Sequence, residues 1–159
     1  MVFKRILVPL DGSILAETAI GTATALAAGG ATVMLLRAAE AHVLPGVDPT
    51  EMQVDVVREA EEYLARVAAR LQRDGIESVE TSVWYGAPVS AIVEATQLRG
   101  ADLIVMSTHG RSGLGRLILG SVAEAVLRST TTPILLVRAS EAPREAIRGA
   151  AASLVDADV

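Results

Sequence analysis

The residues best suited to chemistry lie in one stretch, from Ser107 to Ser121, that is rich in glycine and small hydroxyl residues. An apolar run, 102–106, leads into it and is short enough to be a buried parallel strand. At its far end Ser121 is a candidate N-cap, and Glu124 stands where a capping-box partner would. Because a helix N-terminus carries unpaired backbone N–H groups and the positive end of the helix dipole, this stretch predicts an anion site, with phosphate as the first ligand to consider.

Three common motifs do not fit the stretch. A Walker loop needs a lysine after its glycines, and none follows here. A dinucleotide fingerprint needs a small residue where Ile118 stands, and it should follow the first strand rather than the fourth. The nucleophile elbow also fails, because Leu114 stands where its last glycine should be.

A fourth pattern does fit. The runs 105–113, 119–124 and 133–137 together resemble the universal stress protein family. Nucleotide-binding members of that family carry the pattern Gly-x2-Gly-x9-Gly-Ser/Thr. In this chain the frame falls on Ser107, Gly110, Gly120 and Ser121, so three of its four positions match and a serine replaces the first glycine. The resemblance covers roughly residues 3–138.

This resemblance implies an adenine nucleotide site for ATP, with Mg²⁺ carried mainly by the nucleotide's own phosphates. The implied contacts are Pro9, Leu10, Asp11, Ala38, Met106, Ser107, Gly110, Arg111, Gly120, Ser121 and Val122. Asp11 would lie near the ribose and Ala38 beside the adenine. The backbone amides of Gly110 and of the turn 120–122 would hold the phosphates. No residue is assigned a catalytic role.

Several of these residues have a plainer interpretation. The role of Asp11 could be limited to capping the first helix, which aspartate does well. Gly110 and Gly120 could be turn glycines that are needed only for a positive φ. His109 is expected to hydrogen-bond to backbone rather than to act as a base. The Cβ of Ser107 could obstruct the nucleotide, or its hydroxyl could donate to a phosphate or ribose oxygen.

Composition limits the remaining possibilities. A chain of 159 residues predicts a single domain with a proper core. The net charge of −5 argues against binding to nucleic acid or an anionic membrane, and the lack of cysteine removes disulfides and thiol chemistry. No signal peptide is expected before the first strand, and no segment approaches the ~18 apolar residues of a spanning helix. The expected location is the cytoplasm.

Strand and helix patterns alternate along the chain. Strands are predicted at 3–9, 32–38, 79–85, 102–106 and 133–138, with helices at about 13–28 and 51–73, from residue 88 to 100, and from 121 to about 129. The first helix is expected to turn Leu15, Ala19, Ala23 and Leu26 inward. This alternation predicts a doubly wound, five-stranded parallel sheet of Rossmann-like, adenine nucleotide alpha hydrolase-like type. The predicted domain is 1–139, and 140–159 is a C-terminal extension that forms a short helix or is disordered.

The resemblance implies strand order 3-2-1-4-5, which places a crevice between the first and fourth strands. Ligands of such sheets bind beyond the carboxyl ends of the strands, where the strand order reverses. The loops 9–13 and 107–115 would meet there. The last strand would lie at a sheet edge, where either a second copy of the chain pairs with residues 133–138 to form a homodimer or the tail covers it.

Three functions remain open. The first is an ATP-binding stress-response or regulatory protein that senses the nucleotide without turnover, although weak ATP hydrolysis is not excluded. The second is an ATP-using enzyme of similar fold, which usually needs an additional substrate domain. The third is a nucleotide-free dimer that acts through protein contacts alone.

Overall fold

The fold is an α/β sandwich, seen in a computed structural model that describes residues 2–40, 48–108 and 120–138. Its strands are β1 (Arg5–Pro9), β2 (Thr32–Ala39), β3 (Val79–Tyr85), β4 (Leu103–Thr108) and β5 (Ile134–Arg138). Its helices are α1 (Ile14–Ala27), α2 (Pro49–Arg73), α3 (Pro88–Leu98) and α4 (Ser121–Ser129). The strands form one parallel sheet in the order β3-β2-β1-β4-β5, which confirms the predicted fold class. The tail 140–159 lies outside the described residues.

The core has two halves, one on each face of the sheet. On β2, Val33 and Leu35 pack toward α1 and α2, whereas Met34 and Leu36 pack on the opposite face with α3 and α4. All four of these side chains are essentially fully buried. Burial on both faces explains why the strand is an apolar run without the alternation of a half-exposed strand.

The predicted inward face of α1 is partly wrong. Ala19 and Ala23 are buried as expected, but Leu26 is 40% exposed and Leu15 is only half buried. The buried positions are Ala16, Ala19, Ile20, Ala23 and Ala27. These positions follow the helical repeat of three and four residues. Four of these five residues are alanines, whose small side chains let α1 approach the sheet closely, and the leucines lie on the flanks of the contact.

The edge strand β3 is held at its amino end by two arginines that share one carboxylate. Arg5 Nη2 lies 3.0 Å and Arg99 Nη2 lies 2.9 Å from Glu80 Oε2. Arg5 also donates from Nε to the backbone oxygen of Arg99 at 2.8 Å. The hydrogen bond from Arg99 and the charge of Arg5 lower the pKa of Glu80, and partial burial opposes them only in part.

At the other edge, β5 pairs with β4 alone. Its side chains are apolar up to the final arginine, and Leu135 is 38% exposed.

Among the described residues, no helix combines the length and the apolar character that crossing a bilayer would require.

The Glu80 cluster predicts an acid-dependent loss of stability. A carboxyl with a lowered folded-state pKa stabilises the fold above its ordinary value of 4.5, and this contribution is lost as pH falls through the folded value. We expect Glu80→Gln to lower the free energy of unfolding at pH 7 by about 0.5 to 1 kcal/mol, because the group is about one-third exposed and solvent screens the pair. Urea unfolding at pH 7 and below pH 4 checks this. The difference between the two proteins should shrink in acid, and a difference independent of pH would contradict the assignment.

Candidate functional site: a cleft at the carboxyl ends of the strands

A cleft of about 320 Å³ lies at the carboxyl ends of β1, β2 and β4. Nine of the eleven residues predicted from the sequence line it: Pro9, Leu10, Asp11, Ala38, Met106, Ser107, Gly120, Ser121 and Val122. The other two, Gly110 and Arg111, lie outside the described residues, as does His109. The structure therefore brings together side chains from three strand ends and one helix start that are far apart in sequence. Their contact with a nucleotide remains a prediction.

The position of the cleft follows from the strand order. β1 pairs with β2 on one side and with β4 on the other, so the crossovers that leave β1 and β4 diverge to opposite faces of the sheet. The backbone N–H of Leu10 donates to the carbonyl of Leu36 at 2.8 Å and continues the pairing beyond β1. This bond places the loop that follows β1 at the edge of the cleft.

Helix α4 begins at the cleft in a different way from the sequence prediction. Its N-cap is Gly120, with φ −63° and ψ 150°, and Ser121 is its first helical residue. The predicted capping box is therefore wrong: the Glu124 carboxylate instead accepts from Arg128 Nη2 at 2.9 Å. The interpretation of Gly120 as a positive-φ turn glycine is also wrong.

This helix start leaves backbone donors available. The first helical hydrogen bond runs from the Glu124 N–H to the Gly120 carbonyl at 2.9 Å. The amides of Ser121, Val122 and Ala123 have no acceptor within the helix, and Gly120 has no side chain that could accept from them. All four residues line the cleft. An anion bound here would receive N–H donors and the favourable end of the helix dipole.

Helix α1 shows the opposite arrangement at the same cleft. Its N-cap is Ser13, whose Oγ accepts from the backbone N–H of Ala16 at 3.1 Å. Asp11 Oδ1 accepts from the Ser13 N–H at 2.8 Å across Gly12, which has φ +87°. Asp11 thus shapes the loop before the helix, while Ser13 caps it. Because Asp11 is exposed and lines the cleft, its structural role leaves it able to meet a ligand.

The sequence analysis missed Arg37, which also lines the cleft. Its Cζ lies 5.1 Å from the centroid of the Tyr63 ring, and its Nη2 lies 3.4 Å from Glu59 Oε1. Its side chain is only 19% exposed. The signal that could have identified it was its charge, because Arg37 is the single ionisable residue of the otherwise apolar β2 strand.

Across the described ranges, the cleft has few charges. Asp11 and Arg37 are the ionisable residues among its described lining. No group of three His, Cys, Asp or Glu side chains within this part of the chain could hold a metal ion. The remaining lining is mainly apolar or contributes backbone amides, as expected of a site for a planar base attached to an anionic group.

Together the strand order and the cleft define a Rossmann-like α/β protein with a cleft at the topological switch point. The universal stress protein family matches the chain over residues 2–138. The chain belongs to this family. A universal stress protein of Methanocaldococcus jannaschii is 33% identical over 141 residues, covering 86% of this chain and 82% of the relative. A putative universal stress protein of Staphylococcus haemolyticus is 30% identical over 150 residues, covering 91% and 90%.

Solved structures agree with this assignment. A hypothetical protein whose structure served to assign its biochemical function superposes with a TM-score of 0.75 at 28% identity, covering 89% of this chain and all of that one. A universal stress protein in complex with cAMP gives a TM-score of 0.69 at 26% identity, covering 88% of this chain and all of that one.

Proposed function

We propose that this protein binds an adenine nucleotide, ATP with Mg²⁺, in the cleft and acts as a nucleotide-dependent regulator in a stress response. The observation that carries the proposal is the open N-terminus of α4 facing an apolar cleft at the sheet's switch point. The related universal stress protein in complex with cAMP supports the choice of an adenine nucleotide. Because ATP is a cytoplasmic metabolite, the proposal places the protein in the cytoplasm.

The residues present fit such a ligand. The base would lie against the apolar wall that includes Ala38 and Met106, and the ribose would lie near Asp11. The phosphates would accept from the amides of residues 121–123 and from the Ser121 hydroxyl. Mg²⁺ would be held by the phosphates, since the described lining of the cleft contains a single carboxylate.

The proposed role is binding rather than turnover. Hydrolysis of a γ-phosphate requires a positioned water and groups that stabilise the developing charge. The described lining of the cleft supplies one carboxylate and one arginine, without a lysine or a carboxylate pair. This composition supports a sensor over an ATP-using enzyme.

The first prediction of this proposal concerns binding itself. Isothermal titration calorimetry with ATP and Mg²⁺ should show one site per chain. Ala38→Phe should weaken binding at least tenfold, because the ring would occupy the space where the base is proposed to lie. Ala65→Phe, on the exposed face of α2, is the matched control and should bind normally.

If the unmodified protein does not bind ATP, the nucleotide-free alternative replaces this proposal. If a phosphate-release assay shows steady turnover that Ala38→Phe abolishes, the protein is an enzyme and the sensor role is wrong.

A second prediction concerns Ser107, which lies on β4 beside the cleft. Ser107→Gly should leave ATP affinity equal or raise it, because removing the Cβ relieves crowding and offsets a lost hydrogen bond of about 1 kcal/mol. Ser82→Gly on β3 is the matched control for the cost of glycine in a strand. A tenfold fall in affinity for Ser107→Gly alone would show that the serine is itself a ligand contact.

We further propose that two copies associate through β5. This strand has a free edge within the described part of the chain, is apolar, and exposes Leu135. An uncovered apolar edge is a template for aggregation, and antiparallel pairing across a two-fold axis would close both edges together.

The third prediction tests that association. Light scattering at micromolar concentration should report a dimer, and Leu135→Lys should give monomer or precipitate because it places a charge in the interface. Leu98→Lys, at the 76% exposed end of α3, is the control and should remain dimeric. A monomeric unmodified protein that is destabilised by deletion after Ser140 would instead show that the tail covers the strand.

A further inference from the structure

The Arg37 guanidinium is turned toward Gly12, in the loop that follows β1. Its Cζ, Nη1 and Nη2 lie 3.6, 3.6 and 3.7 Å from the point where a Cβ would stand on Gly12. Nearly equal distances from three atoms mean that the flat face of the group is turned toward Gly12. A Cβ at this distance would be in ordinary van der Waals contact with the guanidinium, so glycine is favoured here by the positive φ of +87° and not by a lack of space.

The same guanidinium is anchored on helix α2, mainly through an aromatic ring. Its Cζ lies over Tyr63 at 5.1 Å from the ring centroid, within the range of a cation–π contact. Its ion pair with Glu59 is long, at 3.4 Å, and Glu59 is 71% exposed, so that pair contributes little. Tyr63 therefore fixes the position of Arg37 more firmly than Glu59 does.

Tyr63 is itself held in place. It is 9% exposed, and its hydroxyl donates to Glu17 Oε1 on α1 at 2.9 Å. The other oxygen of Glu17 accepts from Arg70 Nη2 at 2.7 Å. Burial raises the pKa of Tyr63, with a further increase from the Glu17 hydrogen bond and charge and from the charge of Asp11, while Arg37 opposes them.

These neighbouring groups lead from the α1–α2 interface to the edge of the cleft. Tyr63 holds Arg37, Arg37 faces Gly12, and Gly12 is covalently joined to Asp11. Asp11 bends back to accept from the Ser13 N–H, so its carboxylate moves with this short loop. The loop is also held at its two ends, by the Leu10 N–H bond to the Leu36 carbonyl and by the Ser13 cap of α1.

We propose that Arg37 is a positioning residue of the cleft, whose guanidinium, held over the Tyr63 ring and turned toward Gly12, limits the positions open to the loop and so keeps the Asp11 carboxylate where it accepts from a nucleotide's ribose hydroxyls. The inference rests on the proposed function, in which the ribose lies near Asp11. It adds that selectivity for the ribose depends on Arg37 as well as on Asp11.

The test compares ATP with 2′,3′-dideoxy-ATP by calorimetry. The unmodified protein should prefer ATP about tenfold, the effect of one hydrogen bond to a charged group. Arg37→Met, which keeps the length of the side chain, should reduce this preference to less than about twofold. Arg37→Lys should not restore it, because an ammonium lacks the flat face. Arg70→Ala loses a different ion pair at the same helix interface and should keep the full preference.

Substitutions of Tyr63, whose ring holds Arg37, provide an independent test. Tyr63→Phe keeps the ring beneath Arg37 and should retain most of the ribose preference, although the protein loses stability with the Glu17 hydrogen bond. Tyr63→Leu removes the ring and should lose the preference as Arg37→Met does. If Tyr63 acted only through stability, the loss of ribose preference would follow the loss of stability in the two variants. We expect it to follow the presence of the aromatic ring instead.

The outcomes separate the inference from the proposed function. If the unmodified protein binds ATP but shows no ribose preference, or if Arg37→Met keeps it, the positioning role is wrong and nucleotide binding stands. If neither nucleotide binds, the proposed function is wrong and ribose selectivity fails with it.

Amide NMR of the ligand-free protein then tests whether Arg37 restrains the loop. Arg37→Met should shift the Gly12 and Ser13 signals and speed their exchange, whereas Arg70→Ala should not, and unchanged signals would overturn the role entirely.

Discussion

Burial of the central strands on both faces is the constraint on which the structure depends. Strands such as β2 and β4 are covered by helices on each side, so their inner positions accept only apolar or fully bonded groups. Polar and flexible residues are therefore displaced to the ends of the strands. At the carboxyl end, between β1 and β4, the crossovers diverge and leave space that the described side chains do not fill. The strand order of the sheet therefore creates the cleft, whichever sequence motif lines it.

The small side chains of the chain serve the same constraint. Buried alanines on α1 and α3 let these helices approach the sheet closely. Polar groups within this packing are satisfied locally: the hydroxyl of buried Thr96 donates to the carbonyl of Ile92 at 2.6 Å. Among the described residues, no buried side-chain nitrogen or oxygen lacks a partner. Backbone amides without a side-chain cap occur instead at helix starts, at Gly120 of α4 and also at Ala87 of α3.

Much of this arrangement could be predicted from the sequence, because its signals are long or repeated. The alternation of apolar strands with amphipathic helices gave the sheet, and the β3 bounds 79–85 were predicted without error. The glycine and serine positions pointed to the cleft that nine predicted residues line. The exact residue at which an element begins was less predictable. The start of α4 moved by one residue because Gly120 adopts an extended conformation, which leaves Ser121 inside the helix.

Two other differences have physical causes that a linear sequence conceals. Leu26 and Ala27 are neighbours in sequence, and the register of α1 on the sheet, set by close packing of small residues, decides which one is buried. Arg37 is the single charged residue of β2, and the sequence alone assigns it no role. Its significance depends on Tyr63, which is 26 residues away on another element and becomes its neighbour only in the fold.

The uncapped start of α4 also has a thermodynamic consequence. Helix α1 completes its first turn with its own serine, whereas the first turn of α4 lacks a partner within the helix for three successive amides. Any anion that supplies this partner binds the folded chain and not the unfolded one. Its binding free energy then adds to the free energy of folding, by about 2.7 kcal/mol at a concentration one hundred times its dissociation constant. The resistance of this protein to unfolding would thus track the abundance of a small molecule in its surroundings.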